Sequence, residues 1–298
     1  MIVFNRDKTL ELGMLGAMFC ATAAFAAPPG TLPFGVYDPN GTFIDDPGVS
    51  IEHLFLPWED LLLQSLYDVD AYAVERGRSV LATVEPWTWT RDERSTPEAL
   101  IEGIKNGTYD QNMATICAIF NDFKSPVTVR WGQEMEDLET QFIWAHWEPE
   151  TYITAYKRMV DVCRTQAPKV DFMWSPMGEE GFEDYFPGKE YVDVVGLSVF
   201  GLQAWEKEIL GKERTFREVL EPRYNRALAF GLPIVVAEFG VSGDAEYVDR
   251  WLEDVRQDIA GLSELVAVIY FNQTEVYPWP DGFGMPDWRF DHNVIGQE

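Results

Sequence analysis

Two glutamates close comparable stretches of the chain. Thr128-Val-Arg-Trp-Gly-Gln-Glu134 runs from a β-branched segment through a glycine into a polar pair. Pro233-Ile-Val-Val-Ala-Glu238-Phe-Gly240 repeats the pattern, an apolar run ending on a glutamate beside a glycine. Each run reads as a strand buried on both faces. One glutamate so placed is ordinary strand-end solvation. Two, on separate buried strands, are what cleavage of an acetal needs: one carboxyl protonates the leaving oxygen while the other attacks or activates water. Both tasks run at one pH only if the two environments push the pKa values apart. Burial and a neighbouring negative charge are expected to raise Glu134, and Arg130 is the cation expected to hold Glu238 ionised.

The remaining segments supply a frame for that pair. Strand-like runs recur at 32–37, 51–57, 79–84, 126–131, 170–174, 192–199, 233–237 and 265–272. Helical patterns fall at about 59–76, from Thr96-Pro97 onward, and at about 109–123, 149–166, 215–230 and 244–259. Eight strands with intervening helices, and no linker or low-complexity stretch, predict an α/β fold: a single (β/α)8 TIM barrel over residues 28–298. The tail after the eighth strand is short and rich in Pro, Gly and Trp, so the closing helix is expected to be short or absent. In such barrels the site lies at the C-terminal ends of the strands. Glutamates ending strands four and seven are then expected within roughly 5–5.5 Å of each other, the separation that accompanies a covalent intermediate and retained configuration.

Composition narrows the substrate. The formal net charge is −27 over 298 residues, which argues against nucleic acid and against an anionic membrane surface or polyanionic ligand. Aromatic residues make up 14% of the chain, eleven of them Trp, and flat apolar rings are surfaces on which sugars stack. The three histidines, His53, His146 and His292, have no ligand spacing, so neither a metal nor another cofactor is expected. No nucleophile elbow or phosphate-cradling glycine loop occurs.

Residues 1–27 read as a cleaved signal peptide. Arg6 and Lys8 precede an apolar stretch at 12–25 that ends in Ala24-Phe-Ala26, too short for a comfortable membrane span. Cys20 follows Phe19, which argues against a lipoprotein anchor. The mature protein is expected to be secreted or periplasmic, without a membrane anchor, and monomeric. Cleavage leaves Cys117 and Cys163, in consecutive predicted helices. They suit either a disulfide or two buried thiols at a helix contact, and the thiols are the expectation.

The strand ends also carry Tyr37, Trp58, Glu85 and Asn272. Substrate contacts are expected from Gln133, Trp87, Arg130, Trp144, Trp147, Trp174, Phe200, Trp205, Tyr270 and Trp279, several of them in loops on the active face. Glu136, Asp137 and Glu139 form an acidic run that reads as a solvated loop.

Several of these segments resemble glycoside hydrolase family 26, the mannanase-type barrels. Arg130-Trp-Gly-Gln-Glu-Met135 is similar to the family's strand-four signature and Ala237-Glu-Phe-Gly240 to its strand-seven motif. The likeness extends to Glu85-Pro-Trp87, Pro149-Glu-Thr-Tyr152, Trp174-Ser-Pro176, the run from Phe186 to Gly196, and Asp287-Trp-Arg289. The resemblance implies Glu134 as general acid/base and Glu238 as nucleophile of a retaining, endo-acting glycosidase. Three positions depart from it: Gln133 where the family has His, Phe200 where it has Tyr, and Tyr270 where it has Trp. They argue against plain β-mannan and toward a mixed-linkage glucan or a bacterial exopolysaccharide. Alternative readings are a barrel that binds polysaccharide without cutting it, and a transglycosylase or trimming enzyme of exopolysaccharide export.

Overall fold

Eight parallel strands close into one barrel, each paired with its neighbours in the chain and the first with the last. The strands are β1 (Phe34–Tyr37), β2 (Val49–Pro57), β3 (Ser79–Glu85), β4 (Val127–Trp131), β5 (Asp171–Trp174), β6 (Val194–Leu202), β7 (Ile234–Ser242) and β8 (Leu265–Phe271). The (β/α)8 barrel expected from the sequence is therefore the fold. The computed structural model describes residues 32–90, 93–137, 142–258 and 261–291. The expected signal peptide, with Cys20, and Glu139 and His292 lie outside the described residues.

Helices cover the barrel: α1 (Ser65–Arg76) before β3, α2 (Pro97–Asn106) and α3 (Asp110–Asp122) before β4, α4 (Pro149–Gln166) before β5, α5 (Phe216–Ala227) before β7, and α6 (Ala245–Asp258) before β8. Local chemistry sets their ends. Thr96 caps α2 by accepting from the Ala99 N–H, with Pro97 at the first helical position. Thr215 and Glu218 form a reciprocal capping box at α5. Helix α1 starts at Ser65, later than the periodicity predicts. Between β5 and β6 the described connection holds only a one-turn 3₁₀ helix, Phe182–Tyr185. After β8 the described chain forms a bridged loop with a short 3₁₀ turn, Pro280–Gly282. Among the described residues no helix is long and apolar enough to cross a membrane.

Side-chain alternation sorts every strand into two faces. Val80, Ala82 and Val84 of β3, Val129 and Trp131 of β4, and Val195, Leu197 and Val199 of β6 join the large core between barrel and helices. Leu81, Met173, Val235, Ala237, Ala267 and Ile269 form a separate cluster inside the barrel. Strand β7 breaks this phase once. Its pairing with β6 steps from Leu197↔Val236 to Ser198↔Glu238, and with β8 from Val268↔Val236 to Tyr270↔Phe239. One extra residue in β7 thus lies between Val236 and Phe239 against both neighbours, a β-bulge. Ile234 and Val236 below it, and Phe239 and Val241 above it, all join the outer core. Strict alternation would have sent Glu238 to that core with Val236. The bulge keeps it on the inside.

Cys117 of α3 and Cys163 of α4 are fully buried and joined by a disulfide (S–S 2.01 Å), which corrects the expectation of free thiols. The physical reason is proximity: α3 and α4 pack side by side and bring the two Cα atoms to 5.3 Å, well within bridging range. The bridge closes a loop of 46 residues. On chain-entropy grounds, replacing both cysteines by Ala is expected to cost about 4 kcal/mol of stability. Guanidinium unfolding of the oxidised protein and the double variant measures this, and a loss below about 1 kcal/mol would contradict it.

Candidate active site

The acid-bearing turn after β4 is backbone-strained and tightly held. Gly132 (φ 56°) turns the chain out of the strand in a left-handed conformation. A Cβ there would meet nothing closer than 3.6 Å, so the backbone conformation alone calls for glycine. Glu134 is also left-handed (φ 56°), which for a non-glycine residue costs about 1–3 kcal/mol and persists only when its surroundings over-determine it. They do. The Glu134 N–H donates to the Ser175 carbonyl (2.8 Å), the Trp144 indole N–H to the Gln133 carbonyl (2.8 Å), and the Tyr152 hydroxyl to the Gly132 carbonyl (3.1 Å). Farther along, the Glu136 carboxylate accepts from the Gly178 N–H (2.8 Å), and burial lifts its pKa to about 7.

Across the barrel mouth, Glu238 lies under the same roof with a different partner. The Arg130 guanidinium, wholly buried, donates to Glu238 Oε1. Arg130 also lies 3.4 Å from Thr83 Oγ1, which is 2.8 Å from His53 Nε2. Burial and the Arg130 charge hold His53 well below the usual imidazole range, so Arg130 is the cation of this chain of contacts. Glu134 has no such partner. Its surroundings strip it of solvent, the Glu238 charge opposes its ionisation, and together these outweigh Arg130 and a hydrogen bond from Ser198, raising it to about 8. The Ser198 hydroxyl donates to Glu134 Oε1 at 2.5 Å.

A third carboxylate, Glu85, ends β3 beside this pair. It accepts from the Gln133 amide (2.9 Å) and the Trp87 indole (3.1 Å), and burial raises its pKa. The Tyr37 phenol is raised by burial and by the charges of Glu85 and Glu238.

Several expected sugar contacts belong instead to the protein interior. Trp174 and Tyr270 share the outward phase of Phe172 and Val268, so they face the helix layer and are fully buried. Tyr270 donates to the Trp288 carbonyl. Trp144 and Trp147 are buried inside their own loop, Trp144 stacked on Phe142 and Trp147 donating to the Ile143 carbonyl (2.9 Å). Trp87 is 6% exposed, edge-on to Trp144 and bonded to Glu85. Arg130 and Gln133 are also covered, the first occupied by Glu238 and the second by Glu85. Trp58 packs on Tyr109, and Asn272 bridges Asp38 and the Phe290 N–H.

Phe200, Trp205 and Trp279 keep accessible surface. They pack, with Tyr37, Phe55 and Phe283, against Leu202, Phe271 and Trp288, an aromatic wall at the C-terminal ends of β1, β2, β6 and β8. Trp205 donates to Asp281 (2.9 Å), tying the loop after β6 to the loop after β8. Gly240 sits where a Cβ would come within 3.1 Å of the Phe200 and Trp288 rings, so any side chain there would press both rings outward by a few tenths of an ångström. Phe55, Phe271, Thr83 and Ser198 were not singled out by sequence reasoning, and His53 was considered only as a metal ligand and set aside. Ser198 and Phe200 are two apart on one strand, so the inward phase of either implies the other.

Residues 103–221 match the family described as glycosyl hydrolase family 26. Endoglucanase H of Acetivibrio thermocellus is 22% identical over 251 residues, which is 78% of this chain; the chain spans only 26% of that relative. The catalytic domain of a family 26 endo-β-1,4-mannanase from Bacillus sp. JAMB-750 superposes with a TM-score of 0.64 at 15% identity, over 90% of this chain and 81% of that one. A family 26 β-mannanase from Bacteroides ovatus gives 0.61 at 16% identity over 80% of both chains. The structural likenesses carry the barrel fold, and the matched segment runs through β4, β5 and β6 with the Glu134 turn. Over residues 103–221 the chain is thus similar to glycosyl hydrolase family 26.

Proposed function

We propose that the protein hydrolyses a neutral β-linked polysaccharide by an endo-acting, retaining mechanism, with Glu238 as nucleophile and Glu134 as general acid/base. Glu238 attacks the anomeric carbon while Glu134 gives its proton to the departing glycosidic oxygen, leaving a glycosyl ester on Glu238. Glu134, now ionised, takes a proton from water, which attacks the same carbon and releases the sugar with its configuration retained. One observation carries this reading: of two glutamates at one barrel mouth, one is paired with a buried arginine and the other is raised to about 8 by burial and by the first. A proton held on Glu134 and a cation beside Glu238 are what the double displacement needs at the outset.

The substrate class follows from the walls. An aromatic face with few polar atoms supports stacking of pyranose rings, and the acidic mouth supports a neutral chain over a uronic one. Phe200 brings no hydroxyl to this wall, and Gln133 is engaged by Glu85. Tyr270, facing the helices, does not shape the subsite. On these grounds a glucan-containing or exopolysaccharide substrate is expected to be cleaved at least 10-fold faster than unsubstituted β-mannan, about the discrimination that 1.4 kcal/mol supports. Reducing-end release across a polysaccharide panel tests this, and preference for plain mannan would refute it. The disulfide and the Ala24-Phe-Ala26 pattern support a secreted or periplasmic location.

A further inference from the structure

We propose that Ser198 is a positioning residue that selects which oxygen of Glu134 carries the catalytic proton. This rests on Glu134 being the acid/base. Ser198 lies on the inward face of β6, is 3% exposed, and is the register partner of Glu238 immediately above the β7 bulge. The same irregularity that turns Glu238 inward therefore brings the Ser198 hydroxyl alongside it, about one interstrand spacing away. That hydroxyl donates to Glu134 Oε1. Among the described residues no group bonds to Oε2.

The two oxygens of a carboxylic acid are not equivalent: one bears the proton and the other accepts. A hydroxyl committed to Oε1 makes that oxygen the acceptor and leaves the proton on Oε2. From there it passes to the glycosidic oxygen as the C–O bond breaks. In the second half-reaction the same donor stabilises the carboxylate that must take a proton from water. Ser198 thus keeps one oxygen of Glu134 fixed through both steps and restrains the rise in pKa that burial imposes. No titration of Ser198 itself is involved. The charged groups around Glu134 are Glu238, Arg130 and Asp137, all left unchanged by substitution at this position.

The test is a carbon-13 carboxyl NMR titration of protein labelled at glutamate Cδ, with the Glu134 resonance assigned by its loss in Glu134→Gln. In Ser198→Ala the Glu134 midpoint is expected to rise by about one pH unit, as befits loss of a hydrogen bond to a charged acceptor. Ser198→Thr, which keeps the hydroxyl, is expected to restore it. The alkaline limb of the rate profile should move up with the midpoint. Turnover of an unactivated oligosaccharide should fall about 10-fold, while release of a good leaving group from an aryl glycoside changes less than 2-fold. An unchanged midpoint in Ser198→Ala, or the same rise in Ser198→Thr, would overturn the proposal. The titration needs no substrate. A wild type that cleaves nothing on the panel therefore sinks the hydrolase reading, while the midpoint still decides whether Ser198 controls Glu134.

Discussion

Glu238→Gln is expected to lose turnover by on the order of 10⁴-fold or more, on activated and unactivated substrates alike. The amide is nearly isosteric and keeps an acceptor for Arg130, so the loss reads as loss of a nucleophile. It does leave Arg130, wholly buried, without its counter-charge, and removing one partner of a buried pair costs about 3–5 kcal/mol. The stability of the variant is therefore measured beside its rate, and a folded, inert protein is the expected combination. The wild type is also expected to release its first product with retained configuration, which NMR of the nascent anomer reads directly. Initial release of the inverted anomer would remove Glu238 from the nucleophile's role. If the variant binds oligosaccharide normally and the wild type cleaves no member of the panel, the barrel is a binding protein.

What could be read from the chain differs by residue. Strand and helix order was legible because eight apolar runs alternate with helical patterns, and the two glutamates stood out by local chemistry. Facing was not. Tyr270 and Trp174 end strands as plainly as Phe200 does, but each shares the outward phase of its neighbours two residues back and points into the helix layer. Phase is fixed by inter-strand register, which spacing along one strand does not report. Glu238 is the sharper case, because Ile234-Val-Val-Ala-Glu238-Phe is apolar on both faces and nothing in the run marks the extra residue that reverses its alternation. Trp144 and Trp147 were misplaced for another reason. Their loop folds on itself, with indole N–H groups closing onto backbone carbonyls, and that curl has no periodic signature. The disulfide depended on two helices lying adjacent, a tertiary fact.

Glu134→Gln is expected to separate the two half-reactions. With an unactivated oligosaccharide the departing oxygen needs a proton, and the loss should be about 10²–10⁴-fold. With an aryl glycoside whose leaving group departs unprotonated, the first step should be nearly spared, and the glycosyl-enzyme should accumulate because no base remains to activate water. The pH profile carries the same assignment with a definite sign. Glu134 is raised to about 8, so below that pH it holds the proton it must donate. As pH rises through about 8 the acid form disappears, and the wild-type rate on an unactivated substrate should fall with it. Bound substrate displaces water and buries Glu134 further, so kcat should fall at a pH no lower than kcat/KM does. In Glu134→Gln the residual rate should show no alkaline limb near 8, since the amide does not titrate. Rate profiles of wild type and variant on both substrate types decide this. If Glu134→Gln and Glu238→Gln slow the first step on the aryl glycoside equally, or if the limb near 8 survives in Glu134→Gln, the proton comes from another group. Glu136, lifted to about 7 in the same turn, is then the carboxylate to replace next.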